Sequence, residues 1–260
     1  MLKISNVKVY GLEESIVASG YPMLSKPYTD GEFEDKTADI NSILFFDGES
    51  KADLSEATKR IKTAKHLGSV PTGTGHDSYL KGITVQCDIK YPVYWTPQAQ
   101  RYSFFEIISS MSSMHRLTKM NLNESFNEYV SPQIIAYIKD LIDVYNKALE
   151  NPEGKIYTLK YLIDDKREAV LANIKHDNEW YKEHDLKPIE EVEISKEDLY
   201  MTIISNCPQG LEKTMRVSTN YLQLKTMYLQ RKNHKLKDWH EFCKWVETLP
   251  YFKELTGIES

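Results

Sequence analysis

Arg231 stands in line with apolar residues. In RVSTNYLQLKTMYLQRKNHKLKDW (216–239), a helical period of about 100° per residue puts Asn220, Leu224, Met227, Tyr228 and Arg231 within roughly a third of the circumference. Leu222, Leu229, Leu236 and Cys243 form a second stripe at heptad spacing. A guanidinium beside a packed face must meet a carboxylate, a carbonyl or a bound anion, because burying it unpaired is costly. A structural ion pair or a snorkelling side chain is the plain reading, and a ligand anion or carbonyl is the functional one. A second set lies upstream: Gln98, Arg101, Phe105, Ile108, Ser112 and His115 follow i, i+3, i+4 steps, with Arg116 flanking them. On one helix from Pro97 to about Leu117, Arg101 and His115 would be roughly 21 Å apart, long enough to follow an elongated cofactor.

GTGHDSYLKG (73–82) has the composition of a phosphate-binding loop but lacks the Gly-Lys-Ser/Thr ending of a P-loop. Its backbone amides and Ser78 could still approach a phosphate. No HxxxH, His-Glu-x-x-His or close acidic cluster is present, so no metal is expected. The absence of Gly-x-Ser-x-Gly argues against nucleophilic hydrolysis.

The chain must position these groups within 260 residues of ordinary globular composition, 41% hydrophobic and 27% charged. A net charge of −5 gives no electrostatic case for nucleic acid or an acidic membrane, although a local basic pocket can still take a small anion. Three widely spaced cysteines without CxxC point to a reducing compartment. With no apolar stretch of membrane-spanning length, a cytoplasmic protein is expected. The alternation of Ile4, Val7 and Val9 predicts a strand near a sheet edge. Residues 26–42 read as a loop. Residues 55–69 read as a helix capped by Ser55 and stopped by Gly68, and 82–92 as a strand. Ser131-Pro132 opens a helix to about Leu149, and a long charged helix is expected over roughly 158–184. Ser195 with Asp198 opens another helix, and 212–219 form a strand leading into the Arg231 helix. One domain with a helical insertion around 132–190 is the simplest organisation.

Several of these landmarks occur in the order found in the flavin-dependent thymidylate synthases. GHDSYLKGI (75–83) is similar to that family's Gly-His-Glu-Thr/Ser-Pro-Phe-Glu-His loop, and QCDIKYPVY (86–94) to its strand ending in Ala-Pro-Ile-Phe. Gln98 and Arg101 fall on the start of its Arg-Gln-x-x-Arg-His-Arg element, with Tyr102 and Ser103 standing where His-Arg is usual. His115-Arg116 offers a later replacement for that pair. CPQGLEKTMRVSTN (207–220) resembles the late Leu-Pro…Thr…Asn element, and the helix of Leu224 and Arg231 resembles the one carrying the family's essential arginine. Ile204 and Leu222 occupy positions where arginine is usual. The resemblance covers roughly 60–110 and 195–245.

It implies an α+β fold with a central, mostly antiparallel sheet flanked by long helices. It also implies a homotetramer that binds FAD and deoxyuridylate, with NADPH and methylenetetrahydrofolate as co-substrates for one-carbon transfer to C5 of the pyrimidine. Under it, Arg231 is the catalytic residue and Gln98, Arg101, Ser112 and Arg231 bind substrate. Ser78, Arg101, Tyr102, His115, Arg116 and Asn220 bind the cofactor. A flavoenzyme acting on another pyrimidine nucleotide and a non-catalytic nucleotide-binding protein on the same scaffold are the alternatives.

Overall fold

The computed structural model describes residues 2–46, 54–151, 155–164, 167–171 and 187–258. It divides into two compact units, the first made of Met1–Tyr91, Trp95–Ser110 and Thr214–Ser260, the second of Pro92–Tyr94 and Met111–Lys213.

The first unit is built on a four-stranded sheet in the order β1 (Lys3–Tyr10), β2 (Thr84–Pro92), β7 (Glu212–Asn220), β3 (Glu106–Ser110). β1 is an edge strand, as its alternation predicts, and runs antiparallel to β2 from Lys3↔Lys90 to Tyr10↔Thr84. β3 runs antiparallel to β7, with Ile107 opposite Val217. Alternate residues of the inner strands, Val85, Cys87, Ile89, Met215 and Val217, are buried, as the two-residue period of a strand requires. Helices α1 (Leu12–Ala18), α2 (Asp30–Phe45) and α3 (Ser55–Ser69) pack on one another and supply Ile16, Val17, Ile40, Ile61 and Ala64 to the core.

The second unit packs α6 (Pro132–Glu150) against α7 (Lys196–Asn206) through Ile138, Leu141, Ile142, Leu199 and Ile203. Ser131 and Ser195 cap these helices as the sequence predicts, accepting from the backbone N–H of Gln133 and Asp198. The unit also contains an antiparallel three-stranded sheet, with β4 (Ile156–Asp164) between β5 (Arg167–Leu171) and β6 (Lys187–Ile194).

The mixed architecture with an antiparallel sheet is the one expected, but four local expectations are overturned. Residues 26–42 are mostly helix α2, started by a reciprocal capping box in which Thr29 Oγ1 accepts from Glu32 N–H at 3.3 Å and Thr29 N–H donates to the Glu32 carboxylate at 2.8 Å. The 97–117 helix is a single turn, α4 (Thr96–Ala99), followed by β3 and the short α5 (Ser113–Arg116). Ile107 and Ile108 are β-branched and follow two phenylalanines, which suits pairing with β7 more than a helix. The expected helix over 158–184 is β4 and β5 up to Leu171, paired antiparallel with Leu159 opposite Leu171 and Tyr161 opposite Ala169; its remainder, 172–184, lies outside the described residues. Gly68 lies inside α3 and does not stop it. A Cβ there would meet the Leu255 carbonyl oxygen at 1.9 Å, so glycine permits a close approach of backbones.

Candidate functional site

Arg231 ends α8 (Tyr221–Arg231), which Asn220 caps by accepting from Gln223 N–H at 2.9 Å. Leu224, Met227 and Tyr228 are buried and Arg231 is half-buried on the same side, so the stripe is real. The chain then bends. His234 N–H donates to the Arg231 carbonyl at 2.9 Å, and His234 Nδ1 accepts from Leu236 N–H at 3.1 Å. A second helix, α9 (Lys237–Val246), follows and brings fully buried Trp239 beneath the arginine. The heptad stripe from Leu222 to Cys243 is therefore not one helical face.

The Arg231 guanidinium carbon lies 4.8 Å from the centre of the Trp239 ring and 5.5 Å from that of Tyr102, within cation–π range. Its Nε donates to the Tyr102 hydroxyl at 2.7 Å, and Nη1 reaches Gln98 Oε1 at 3.5 Å, the outer limit of a hydrogen bond. Tyr102 in turn donates to Gln230 Oε1 at 3.0 Å. Gln98 Oε1 also accepts from Trp239 Nε1 at 2.9 Å. Beneath lies an aromatic base in which Trp95 is 4.8 Å from Trp239 and 6.0 Å from Phe242.

Two properties follow. Every partner of the Arg231 cation is neutral; among the described residues no carboxylate pairs with it. The charge is felt nearby: burial, then Arg231, then His240 hold the His234 imidazole below its ordinary range. The polar atoms of Arg231 and Gln98 left without a partner among the described residues are also donors. Arg231 Nη2 and Gln98 Nε2 have no acceptor among the described residues, and neither is sealed from solvent. Such a face matches a ligand carrying an anionic or carbonyl acceptor.

Gln98, Tyr102 and Arg231 are thus brought together from α4, the following turn and α8. Arg101 is exposed and has no partner among the described residues, while Asn220 sits at the start of α8 with its amide oxygen held by the cap. Ser78 is exposed on a 3-10 turn (His76–Gly82) entered through Gly73 and Gly75, both in the left-handed region. Ser112, His115 and Arg116 belong to the second unit. With no long helix, the continuous polar face from Gln98 to His115 does not exist.

Sequence reasoning missed two groups. Trp239 carried no signal beyond being aromatic after a lysine-rich break. Lys225 carried no sequence signal either, yet its ammonium is buried, donating to the carbonyls of Gly68 at 2.7 Å and Val70 at 2.6 Å and pairing with Asp77 at 3.0 Å. It ties α8 to the loop that presents Ser78. Asp77, an acid inside a glycine-rich turn, was the available clue.

No protein-family model matches the chain, and no curated protein matches it. Among solved structures it is similar to thymidylate synthase X (ThyX) from Helicobacter pylori with FAD and dUMP, at TM-score 0.52 and 13% identity, covering 98% of this chain and 96% of that one. Another structure, the flavin-dependent thymidylate synthase ThyX from the same organism complexed with FAD and dUMP, aligns at TM-score 0.48 and 16% identity over 97% of each chain. No helix among the described residues is long and apolar enough to cross a membrane. The first likeness, spanning nearly both whole chains, shows that this chain has a thymidylate synthase X-like fold.

Proposed function

We propose that the chain is a flavin-dependent enzyme of the thymidylate synthase kind, which binds deoxyuridylate through Arg231 and Gln98 and transfers a one-carbon unit to C5 of its pyrimidine. The observation that carries this reading is the half-buried Arg231 cation, stacked on Trp239 with only neutral partners and a free side made of donors. A structural ion pair, the plain alternative, requires a carboxylate, and among the described residues there is none on Arg231. The bound FAD and dUMP of the Helicobacter pylori enzyme supply the choice of ligand.

The chain's donors fit a flavin dinucleotide. Its phosphates need cations and hydroxyls, and Arg101 and Ser78 are exposed, with Arg101 lacking any partner among the described residues. The Asn220 amide nitrogen is left over from its cap. FAD, when bound, supplies the hydride relay between NADPH and the carbon carried by methylenetetrahydrofolate. Arg231 holds the pyrimidine and stabilises negative charge developing on a ring carbonyl, an electrostatic role strengthened by the low-dielectric aromatic base beneath it. Tyr102 fixes Nε, so the guanidinium plane is set before the ligand arrives. Ser112, His115 and Arg116, in the second unit, are kept as candidates for nucleotide and cofactor binding on the family resemblance alone.

A second reading, a flavoenzyme acting on another pyrimidine nucleotide, is favoured by one observation. Tyr102, standing where the family's His-Arg begins, is engaged on Arg231 and Gln230.

The test is an absorbance spectrum of the purified protein followed by calorimetric titration with dUMP. A flavin spectrum and saturable dUMP binding are expected. Arg231→Lys keeps the charge but loses the planar fork, so nucleotide affinity should fall by about 10-fold or more while the protein stays folded. Unchanged binding in that folded variant refutes the reading.

A further inference from the structure

We infer that Trp239 determines which pyrimidines this face accepts, by locking the Gln98 amide so that only donors meet the ligand: a ring with carbonyls on both sides of N3 is accepted, and its 4-amino counterpart is rejected. This rests on the nucleotide-binding reading of the same site and adds its selectivity.

A glutamine amide can sit either way round, and its partners decide. Trp239 Nε1 and the Arg231 guanidinium can only donate, and both meet the same Gln98 atom, at 2.9 and 3.5 Å. That atom is the carbonyl oxygen. Turning the amide over would break both hydrogen bonds and set an NH2 group against two donors, one of them charged. The anchor cannot follow such a turn. Trp239 is 0% exposed, held edge-on by Phe242 at 5.5 Å and by the tilted Trp95 ring at 4.8 Å, and its backbone N–H donates to the Leu236 carbonyl at 3.2 Å.

With its oxygen turned inward, Gln98 shows Nε2 and both its hydrogens to the ligand. Arg231 adds Nη2. The Tyr102 hydroxyl is already engaged on both sides, accepting from Arg231 and donating to Gln230. A wall of donors pairs with the two exocyclic carbonyls of a uracil. N3 is recessed between the two substituents in both rings, a donor in uracil and an acceptor in cytosine, so the contact that differs is the one at C4: there a cytosine presents an amine, which brings N–H against N–H. Selectivity of this kind arises from an unsatisfied or repulsive contact with the wrong ligand. Gln98 touches the ligand, whereas Trp239 acts through it and is a positioning residue.

The experiment titrates the full-length purified protein with dUMP and with dCMP and reads the ratio of the two dissociation constants. The wild type should favour dUMP by about 10-fold to 100-fold. Trp239→Phe keeps an aromatic ring under Arg231 but frees the Gln98 amide, so the ratio should fall toward unity, dUMP and dCMP sharing whatever affinity is lost with the smaller ring. Gln98→Glu guards against poor folding of the buried tryptophan variant. Its second oxygen replaces the outward NH2, so dUMP should weaken and dCMP strengthen until the preference is lost or reversed. A wild-type protein that binds dUMP and dCMP equally, or a ratio unchanged in either folded variant, overturns this inference and leaves nucleotide binding standing. Binding of neither nucleotide overturns both.

Discussion

Replacing Lys225 by methionine removes a buried charge on which two elements depend. The Lys225 and Asp77 side chains are 3% and 2% exposed, so the pair lies in the interior with little solvent screening. Three acceptors converge on Nζ: two backbone carbonyls and the carboxylate. Methionine fills nearly the same volume, so the loss is electrostatic and not a cavity. Each orphaned carbonyl costs about 1 kcal/mol, and breaking a buried ion pair from one side costs about 3–5 kcal/mol because the other charge stays behind. These terms overlap, so a total of about 3–5 kcal/mol is expected. At about 2–4 °C per kcal/mol for a chain of this size, Tm should fall by about 6–20 °C. Circular dichroism during thermal and urea unfolding gives the value. A double-mutant cycle with Asp77→Asn isolates the pair, and neutralising the stranded carboxylate should recover at least about 1 kcal/mol of the loss. A loss below about 1 kcal/mol, or no recovery in the double variant, refutes the view that this pair clamps the Ser78 loop to α8.

Two further outcomes follow from the structure. Because burial, first, and then the charges of Arg231 and His240 lower the His234 pKa in the folded state, the unfolded chain takes up a proton that the folded chain refuses once pH falls below about 6.5. Stability from this group is full above that pH and is lost as pH falls toward the lower folded value. His234→Asn keeps an acceptor for the Leu236 N–H without titrating, so its urea midpoint should drop less than the wild type's between pH 7.5 and pH 5.5. Finally, the thymidylate synthase-like reading carries a homotetramer, with a dimer second, and light scattering at micromolar concentration should give a mass of about four chains; a monomer that binds flavin would show that a shared site has not been inherited.

The legible parts of this fold are those in which one signal decides. Ser131-Pro132 and Ser195 with Asp198 announce helix starts through side chains that satisfy orphan N–H groups, and both are used. The alternation of β7 matches the strand period through Met215, Val217 and Thr219, while β1 keeps it across a register shift between Ser5 and Lys8. The failures share a cause too. Gln98, Arg101, Phe105, Ile108, Ser112 and His115 fit a helical period by coincidence of polar spacing, while Ile107 answered to a neighbour, Val217 of β7, more than a hundred residues away in sequence. In α2 the apolar pattern is thin, Ile40 and Leu44 being its buried residues, so only the capping box at its start marked it. Of the site, Arg231 was legible because a cation ending an apolar stripe is an energetic anomaly. Gln98 was placed with it for a reason that failed, a shared face on a helix that is not there.

What the sequence could not show is how the bend after Arg231 sustains the site. His234 must accept through Nδ1 for the turn to close on Leu236 N–H, which requires a neutral imidazole. His240 Nε2 donates to the His234 carbonyl at 2.7 Å and fastens the start of α9 to the same turn. The turn then carries Trp239 back under the guanidinium and within 6.3 Å of the His234 ring. The Arg231 charge helps to keep His234 neutral, and neutral His234 makes the bend that gives Arg231 its aromatic base. A carboxylate partner for Arg231 would cancel the field that disfavours the imidazolium and engage donors that have no partner among the described residues. Leaving the cation without a carboxylate therefore serves the local fold and keeps those donors open for the ligand proposed above, which ties Arg231, Trp239 and His234 together.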